Sequence, residues 1–366
     1  MPTEIYFGNG SFGELGSIIG NKERILLVTG RSFLKKTGRL NKILKLLKGK
    51  EVKVFDGVYE NPDVELIESG IKMIRAFGPD LIVAVGGGSV LDSAKAIALL
   101  SKNKGSVISF LDRKTKIAKK GIDVVAIPTT AGSSSEITSF SVITVRERGI
   151  KITLSHEYLY PVSAVIDPEI LSSLSKEQIA NSGIDVLCHA VESYWNVNHN
   201  PVSDIFALES IDLVFKSLKP FYRSPFSKTA AYGMAAASMF AGLAFSNTRT
   251  TACHSISYPL TTIFNVPHGQ ACAVTLPGML IYNASAVPER IKQICKAAGA
   301  KDPKAAALKI KRLMKDIGLK TGLRDLGIEQ KDLETIIDKG FTPERMVNNP
   351  KKITARDLSN ILTDCF

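Results

Sequence analysis

Short apolar runs rich in Val, Ile and Leu alternate with amphipathic stretches through the first half of the chain. ERILLVTG, EVKVFDGV, LIVAVGGG and VVAIPTTAG read as strands closed off by glycine, proline or polar residues. Between them, a stretch around Lys35 to Leu47, then ELIESGIKMIRAFG, then Val90 to Leu100 carry apolar residues at helical spacing. Strand, helix, strand, helix predicts a parallel α/β sheet with crossover helices. The strands stop after SAVIDPEIL, and from Lys176 onward nearly every segment reads as helix. The pattern predicts two domains, an α/β domain over 1–174 and an all-helical domain over 175–366, with LYPVSAVIDPEIL as the passage between them.

A chain of 366 residues is long enough to bury two cores, and 45% hydrophobic with 22% charged residues is ordinary for a soluble globular protein. AAYGMAAASMFAGLAF, from Ala230 to Phe245, is too short and too rich in Ala and Gly for a membrane span, and reads as a helix buried in a bundle. No membrane partner is expected. Cys188, Cys253, Cys272, Cys295 and Cys365 are scattered without CxxC spacing, which predicts reduced thiols and a cytoplasmic location. MPTEIYFGNGSF lacks the basic and apolar regions of a signal peptide. The net charge of +12 comes from dispersed lysines with no zinc finger, RNP-like motif or arginine-rich tract, so the field is expected to favour an anionic small molecule rather than nucleic acid.

Two loops carry phosphate chemistry. LIVAVGGGSVLDSAKAIAL is a buried strand, three glycines and a helix, and free N–H groups at a helix N-terminus attract an anion. Gly86, Gly87, Gly88 and Ser89 therefore form a diphosphate cradle in this reading. In the alternative, Ser89 and Asp92 are a capping box after a tight turn. The next strand end, VVAIPTTAGSSSEIT, offers Thr129, Thr130 and Ser133 to Ser135 where open α/β sheets bind ligands; a Ser/Thr-rich turn bonded to its own backbone is the alternative.

Asp185 and His189 stand four positions apart in GIDVLCHAVES, so on a helix both leave the same face. His254 in TACHSISYPL and His268 in NVPHGQACAV complete a cage of three imidazoles and one carboxylate. That mixture suits Fe(II) or Zn(II), and not calcium or magnesium. The helix buries Ile184, Leu187, Val191 and Tyr194, so its polar stripe of Asp185, His189 and Glu192 must find partners within the domain.

GGGSVLDSAKAIA, IPTTAGSSSEIT, AVIDPEIL, GIDVLCHAVES and VPHGQA, in this order, resemble the successive signature segments of the iron-dependent (group III) alcohol dehydrogenase family. The resemblance runs along almost the whole chain. It implies a Rossmann-like N-terminal dinucleotide-binding domain, an all-helical C-terminal domain of dehydroquinate synthase-like architecture, and a metal in the cleft between them. The metal would be held by Asp185, His189, His254 and His268. NADP or NAD would lie along Gly86, Gly87, Gly88, Ser89, Asp92, Thr129, Thr130 and Ser133, with Lys151 near the ribose.

Three departures refine what the resemblance implies. Many relatives carry an acidic residue at the end of the first core strand, where this chain has Gly30, Arg31 and Ser32. Loss of a carboxylate and gain of a guanidinium suits a 2′-phosphate, so NADP(H) is expected over NAD(H). Relatives place a proton-exchanging histidine where this chain has Tyr258, which is left with either a relay or a packing role. Arg249 stands where relatives have small uncharged residues, and either grips a phosphonate or sulfonate head or caps a helix C-terminus.

The expected activity is metal-dependent, NAD(P)H-linked reduction of a short aldehyde with an anionic head. SISYPLT resembles the phosphonoacetaldehyde reductase (hydroxyethylphosphonate dehydrogenase) branch, so phosphonoacetaldehyde to 2-hydroxyethylphosphonate comes first. Sulfoacetaldehyde reduction and general short-chain alcohol or diol oxidation are the alternatives. A glycerol dehydrogenase or dehydroquinate synthase-like enzyme is more remote. A homodimer is the assembly kept in view.

Overall fold

A computed structural model describes residues 2–366. The chain divides into two compact units, one of residues 1–130 and 134–173, the other of residues 131–133 and 174–366.

In the first unit, β1 (Glu4–Phe7), β2 (Arg24–Gly30), β3 (Glu51–Val58), β4 (Leu81–Gly86), β5 (Val124–Pro128) and β8 (Ser163–Ile166) form one sheet in the order β1-β8-β5-β4-β2-β3. All of its pairings are parallel. β6 (Phe140–Val145) and β7 (Ile150–Ser155) make a separate antiparallel pair. The apolar runs are continuous because both sheet faces are covered. Leu26, Val28, Ile82, Ala84, Val124 and Ala126 enter the core on one face, against Leu66, Ile67, Leu91 and Ile97 from the helices Val64–Phe77 and Gly88–Ser101. The intervening residues Ile25, Leu27, Val83, Val85, Val125 and Ile127 join Leu34, Ile43 and Leu47 on the other. Each Val, Leu or Ile side chain among them contributes about 1.5–3 kcal/mol by leaving water.

Two elements differ from the pattern reading. The stretch around Lys35 to Leu47 is two helices, Phe33–Lys36 and Arg39–Leu46, because Gly38 takes φ 66° and cannot continue the ladder. β8 lies inside the predicted passage LYPVSAVIDPEIL, paired to both β1 and β5.

The chain moves from β2 to β3 in one direction and then returns past β2 to β4, β5 and β8. The strand order therefore switches between β2 and β4, and the carboxyl ends of strands at such a point form the usual ligand crevice of an open α/β sheet. Gly30 ends β2, Gly86 ends β4 and Pro128 ends β5, with Gly86 paired to Pro128.

The second unit is helical. Its Lys176–Trp195 helix opens on a capping box in which Ser175 and Gln178 bond each other's backbone N–H groups. It packs against the helices Pro201–Arg223 and Lys228–Thr248, and the Ala230 to Phe245 stretch lies inside the latter. Ala252–Thr262, His268–Ala273 and further helices to Ala355–Thr363 complete the unit. Among the described residues, no helix is long and apolar enough to cross a membrane.

Candidate functional site

The two Ser/Thr/Gly loops meet at the switch point in the first unit. Thr129 N–H donates to the Gly86 carbonyl at 3.0 Å, and Thr130 lies 3.4 Å from where a Cβ on Gly87 would sit. Gly86 is required by close approach, because a Cβ there would stand 2.4 Å from Cγ2 of Val90. The Gly88–Ser101 helix starts at the N-cap Gly87 with no side-chain cap. The Val90 and Leu91 N–H groups bond the Gly87 carbonyl, and the N–H groups ahead of them are donors that an α-helix cannot pair internally.

The capping-box reading of Ser89 and Asp92 is corrected by this geometry. The Asp92 carboxylate instead accepts from Ser135 Oγ at 2.5 Å and Val142 N at 2.9 Å. Buried Lys95, one turn on, donates to the carbonyls of Ser135 at 2.9 Å and Thr138 at 3.2 Å. Asp92 and Lys95 thus fix the Gly88–Ser101 helix to the segment after β5, which holds the hydroxyl loop in place. Ser133 follows in that loop, and Lys151 sits half-buried in β7, paired with Thr144. At the end of β2, the exposed Arg31 lies 4.9 Å over the Tyr59 ring and donates from Nε to the Gly57 carbonyl at 3.4 Å. Ser32, beside it, is the N-cap of Phe33–Lys36.

In the second unit, Asp185, His189, His254 and His268 come together from three helices. Asp185 is the hub. Its Oδ1 lies 3.5 Å from His254 Nε2 and 3.9 Å from His268 Nε2, while Oδ2 lies 3.7 Å from His189 Nδ1. The His189 ring stacks on Phe245 with centroids 4.3 Å apart and stands at the same separation from His254. Gly269 lets His268 approach, since a Cβ there would fall 1.9 Å from the Asn181 carbonyl oxygen. The His268 side chain is 36% exposed, whereas the other three are nearly sealed from solvent.

Asp185 Oδ1, His189 Nδ1 and His254 Nε2 are buried without a hydrogen-bond partner. Buried polar atoms are rarely left so; Asp185 Oδ1 and His254 Nε2, 3.5 Å apart, fit a divalent cation with borderline preference for nitrogen and oxygen, while His189 Nδ1 faces the other carboxylate oxygen. The electrostatics of Asp185 and His189 agree with that fit, whereas burial lowers His254 but Cys272, Glu192 and Asp185 outweigh it and raise that imidazole well above its usual value. Burial pushes the Asp185 carboxyl up, but His189, His268 and His254 outweigh it and hold the group well below the usual carboxylate range. Burial, opposed by Asp185 and assisted by His254, lowers His189 to about 4. At neutral pH the cage therefore presents a carboxylate and a neutral imidazole, the forms that bind metal.

Glu192, placed by its spacing on the polar stripe of Asp185 and His189, joins this region, as do Cys272 and Arg345, which the sequence reading left out. Glu192 is fully buried on the Asp185 helix face, two turns on, and its Oε1 accepts from Thr251 Oγ1 at 2.6 Å and Cys253 N at 2.7 Å. Its Oε2 bonds His254 Nδ1. A carboxylate at the N-terminus of Ala252–Thr262 satisfies that helix end and turns His254 Nε2 toward Asp185. Cys272 is one turn after His268, the same interval that singles out Asp185 and His189. Arg345 arrives from a distant part of the sequence, with its guanidinium 4.5 Å over the buried Tyr258 ring and Nε donating to Thr250 Oγ1 at 3.3 Å.

Arg249 is exposed and is the C-cap of Lys228–Thr248, at φ 67° and ψ −176°. Its N–H donates to the Phe245 carbonyl at 2.7 Å, and its own carbonyl accepts from Asn196 Nδ2 at 3.1 Å and Thr248 Oγ1 at 3.0 Å. A non-glycine residue in that region is strained and must be held there by its surroundings.

Comparison with known proteins matches this arrangement to one family. The model of the iron-containing alcohol dehydrogenases matches residues 2–168, and that of the Fe-containing alcohol dehydrogenase family, C-terminal, matches residues 179–366. The NADPH-dependent butanol dehydrogenase of Clostridium saccharobutylicum is 32% identical over 99% of this chain and 96% of its own length. The 1,3-propanediol dehydrogenase of Klebsiella pneumoniae is 30% identical over 100% and 98%. Among solved structures, the sulfoacetaldehyde reductase of Bifidobacterium kashiwanohense in complex with NAD+ superposes with a TM-score of 0.93 at 33% identity, covering 100% of this chain and 97% of that one. The chain belongs to the iron-containing alcohol dehydrogenase family, and is an oxidoreductase that works with a metal and a nicotinamide cofactor.

Proposed function

We propose that this enzyme reduces a short aldehyde carrying an anionic head, phosphonoacetaldehyde to 2-hydroxyethylphosphonate first and sulfoacetaldehyde next, with NADPH preferred to NADH. Arg249 is the observation that carries the anionic head. Arg249 is an exposed residue held in a backbone conformation that costs energy, five residues before His254, and three hydrogen bonds fix that conformation. The guanidinium is the side chain whose geometry matches a phosphonate or sulfonate oxygen pair. The named substrate of the Bifidobacterium reductase, an aldehyde with a sulfonate, supports the same class.

Asp185, His189, His254 and His268 would hold Fe(II) or Zn(II), which when bound supplies Lewis acidity toward an alcohol or carbonyl oxygen. The rest of the work falls to the chain. Glu192 holds the His254 ring in one orientation, and Phe245 packs the face of His189. Gly86 to Ser89, Thr129, Thr130 and Ser133 would line the diphosphate, Lys151 the ribose, and Arg31, with Gly30 and Ser32, the 2′-phosphate. The Tyr258 hydroxyl is the proton-exchanging group in this reading, with Arg345 above its ring as the neighbouring cation. Five free, buried thiols support a reducing, cytoplasmic setting.

The names of the butanol and propanediol relatives favour a second reading, oxidation of an uncharged short alcohol or diol. A panel of phosphonoacetaldehyde, sulfoacetaldehyde, butanal and 3-hydroxypropanal, each with NADPH and NADH, separates the two. The proposal predicts higher kcat/KM for the anionic aldehydes and their selective loss in Arg249→Ala. Equal loss for butanal, or no loss, would leave the uncharged reading standing.

A further inference from the structure

A group of metal-competent donors among the described residues contains a sulfur. One donor atom each from Asp185, His254, His268 and Cys272 lies within 4.8 Å of the other three. Cys272 is fully buried on His268–Ala273, and its Sγ is 3.8 Å from His268 Nε2. The His254 ring is fixed by Glu192 through its other nitrogen, which leaves Nε2 to this group. Two of the companion atoms, Asp185 Oδ1 and His254 Nε2, are themselves buried without a hydrogen-bond partner. A cysteine is commonly just a small buried hydrophobe. Cys188, Cys253, Cys295 and Cys365 are also buried, but none belongs to this group of four.

We propose that the Cys272 sulfur is a ligand to the bound metal alongside Asp185, His254 and His268, and that it shifts the site toward thiophilic ions, Zn(II) above Fe(II). The inference rests on the metal-site reading above and adds Cys272 to its four donors, of which His189 lies outside this closer group. Thiolate is the softest ligand a protein offers, and a mixed sulfur, nitrogen and oxygen set suits zinc better than an all-nitrogen-and-oxygen set does. The thiol proton leaves to solvent when the ion enters, so loading releases a proton that a serine at this position would keep.

Cobalt(II) substitution tests this without reference to turnover. The metal-free full-length protein is titrated with Co(II) under anaerobic conditions while the visible d–d bands and the near-ultraviolet region are recorded. Wild type is expected to show d–d bands together with an intense thiolate-to-cobalt charge-transfer band. In Cys272→Ala and Cys272→Ser the charge-transfer band is expected to vanish while the d–d bands persist, and Cys253→Ala is expected to keep both. Competition of Zn(II) against Fe(II), read by elemental analysis, is expected to show a smaller preference for zinc in the same two variants. Wild-type d–d bands with no charge-transfer band would overturn the sulfur ligand and leave the metal site intact, an outcome that needs no variant to fold. Absence of any Co(II) uptake would overturn the metal site and the sulfur ligand together.

Discussion

Glu192 bonds His254 through Nδ1 and leaves Nε2 of the same ring 3.5 Å from Asp185 Oδ1. Full burial pushes the Glu192 carboxyl up, but His254 outweighs it and holds the group below the usual range. One charged group therefore fixes the ring's orientation and caps the helix that carries it. Glu192→Gln removes the charge and brings an amide donor toward Thr251 and Cys253. Metal affinity is expected to fall about 10- to 100-fold, as is usual when the partner of a ligating histidine is lost. Competition against a chromophoric chelator measures it, and an unchanged affinity would deny Glu192 this positioning role.

Gly86→Ala should damage the nucleotide loop through packing. The new Cβ would stand 2.4 Å from Cγ2 of Val90, inside the sheet's core, and overpacking of this kind costs about 1–3 kcal/mol. The variant is expected to melt earlier and bind NADPH more weakly, and Gly86→Ala/Val90→Ala is expected to recover most of the stability. No recovery in the double variant would place the cost elsewhere.

Arg31→Ala should discriminate between the two nicotinamide cofactors. The guanidinium is positioned by Tyr59 and the Gly57 carbonyl at the carboxyl end of β2. A charge-assisted hydrogen bond to a 2′-phosphate is worth about 1.5–3 kcal/mol, so kcat/KM for NADPH is expected to drop about 10- to 100-fold with NADH little changed. Equal effects on both cofactors would refute the assignment.

Glu136 makes a pH prediction. Burial raises its carboxyl to about 7, against the help of its own backbone N–H and Lys95. The folded state thus keeps a proton that the unfolded chain has already released, across the interval from about 4.5 to 7. Stability should fall as pH rises through that interval, by up to about 3 kcal/mol, and the loss is complete above it. Melting temperatures of wild type and Glu136→Gln at pH about 5 and about 8.5 test this; the variant should flatten this part of the dependence. Parallel curves for the two proteins would count against it.

The parallel sheet was legible because a strand buried on both faces must be apolar throughout, as Leu81–Gly86 is. β1 and β8 were not, since four residues are too few to establish a period and their pairing is set by contacts some 160 residues apart. β7 alternates in sequence as IKITLS and β6 does so only in burial, and the pair stands outside the strand-helix rhythm that organises the rest. Among site residues, Asp185 and His189 could be grouped from one helix face, and Cys272 could have been grouped with His268 by the same interval. Arg345 had no such signal, because only tertiary structure brings it to Tyr258. Asp92 shows the opposite difficulty: its spacing from Ser89 mimics a cap, whereas its partners Ser135 and Val142 lie more than forty residues away.

One divalent ion held at Asp185, His189, His254 and His268 is what would make this chain a nicotinamide-linked aldehyde reductase. The decisive experiment titrates metal-free protein anaerobically with Fe(II) or Zn(II) and reads bound metal and phosphonoacetaldehyde-dependent NADPH oxidation on the same samples. Activity is expected to rise in step with bound metal to a plateau at one ion per chain, and Asp185→Ala is expected to abolish both. Full activity before any metal is added, or tight stoichiometric binding that survives Asp185→Ala, would refute the assignment of this site.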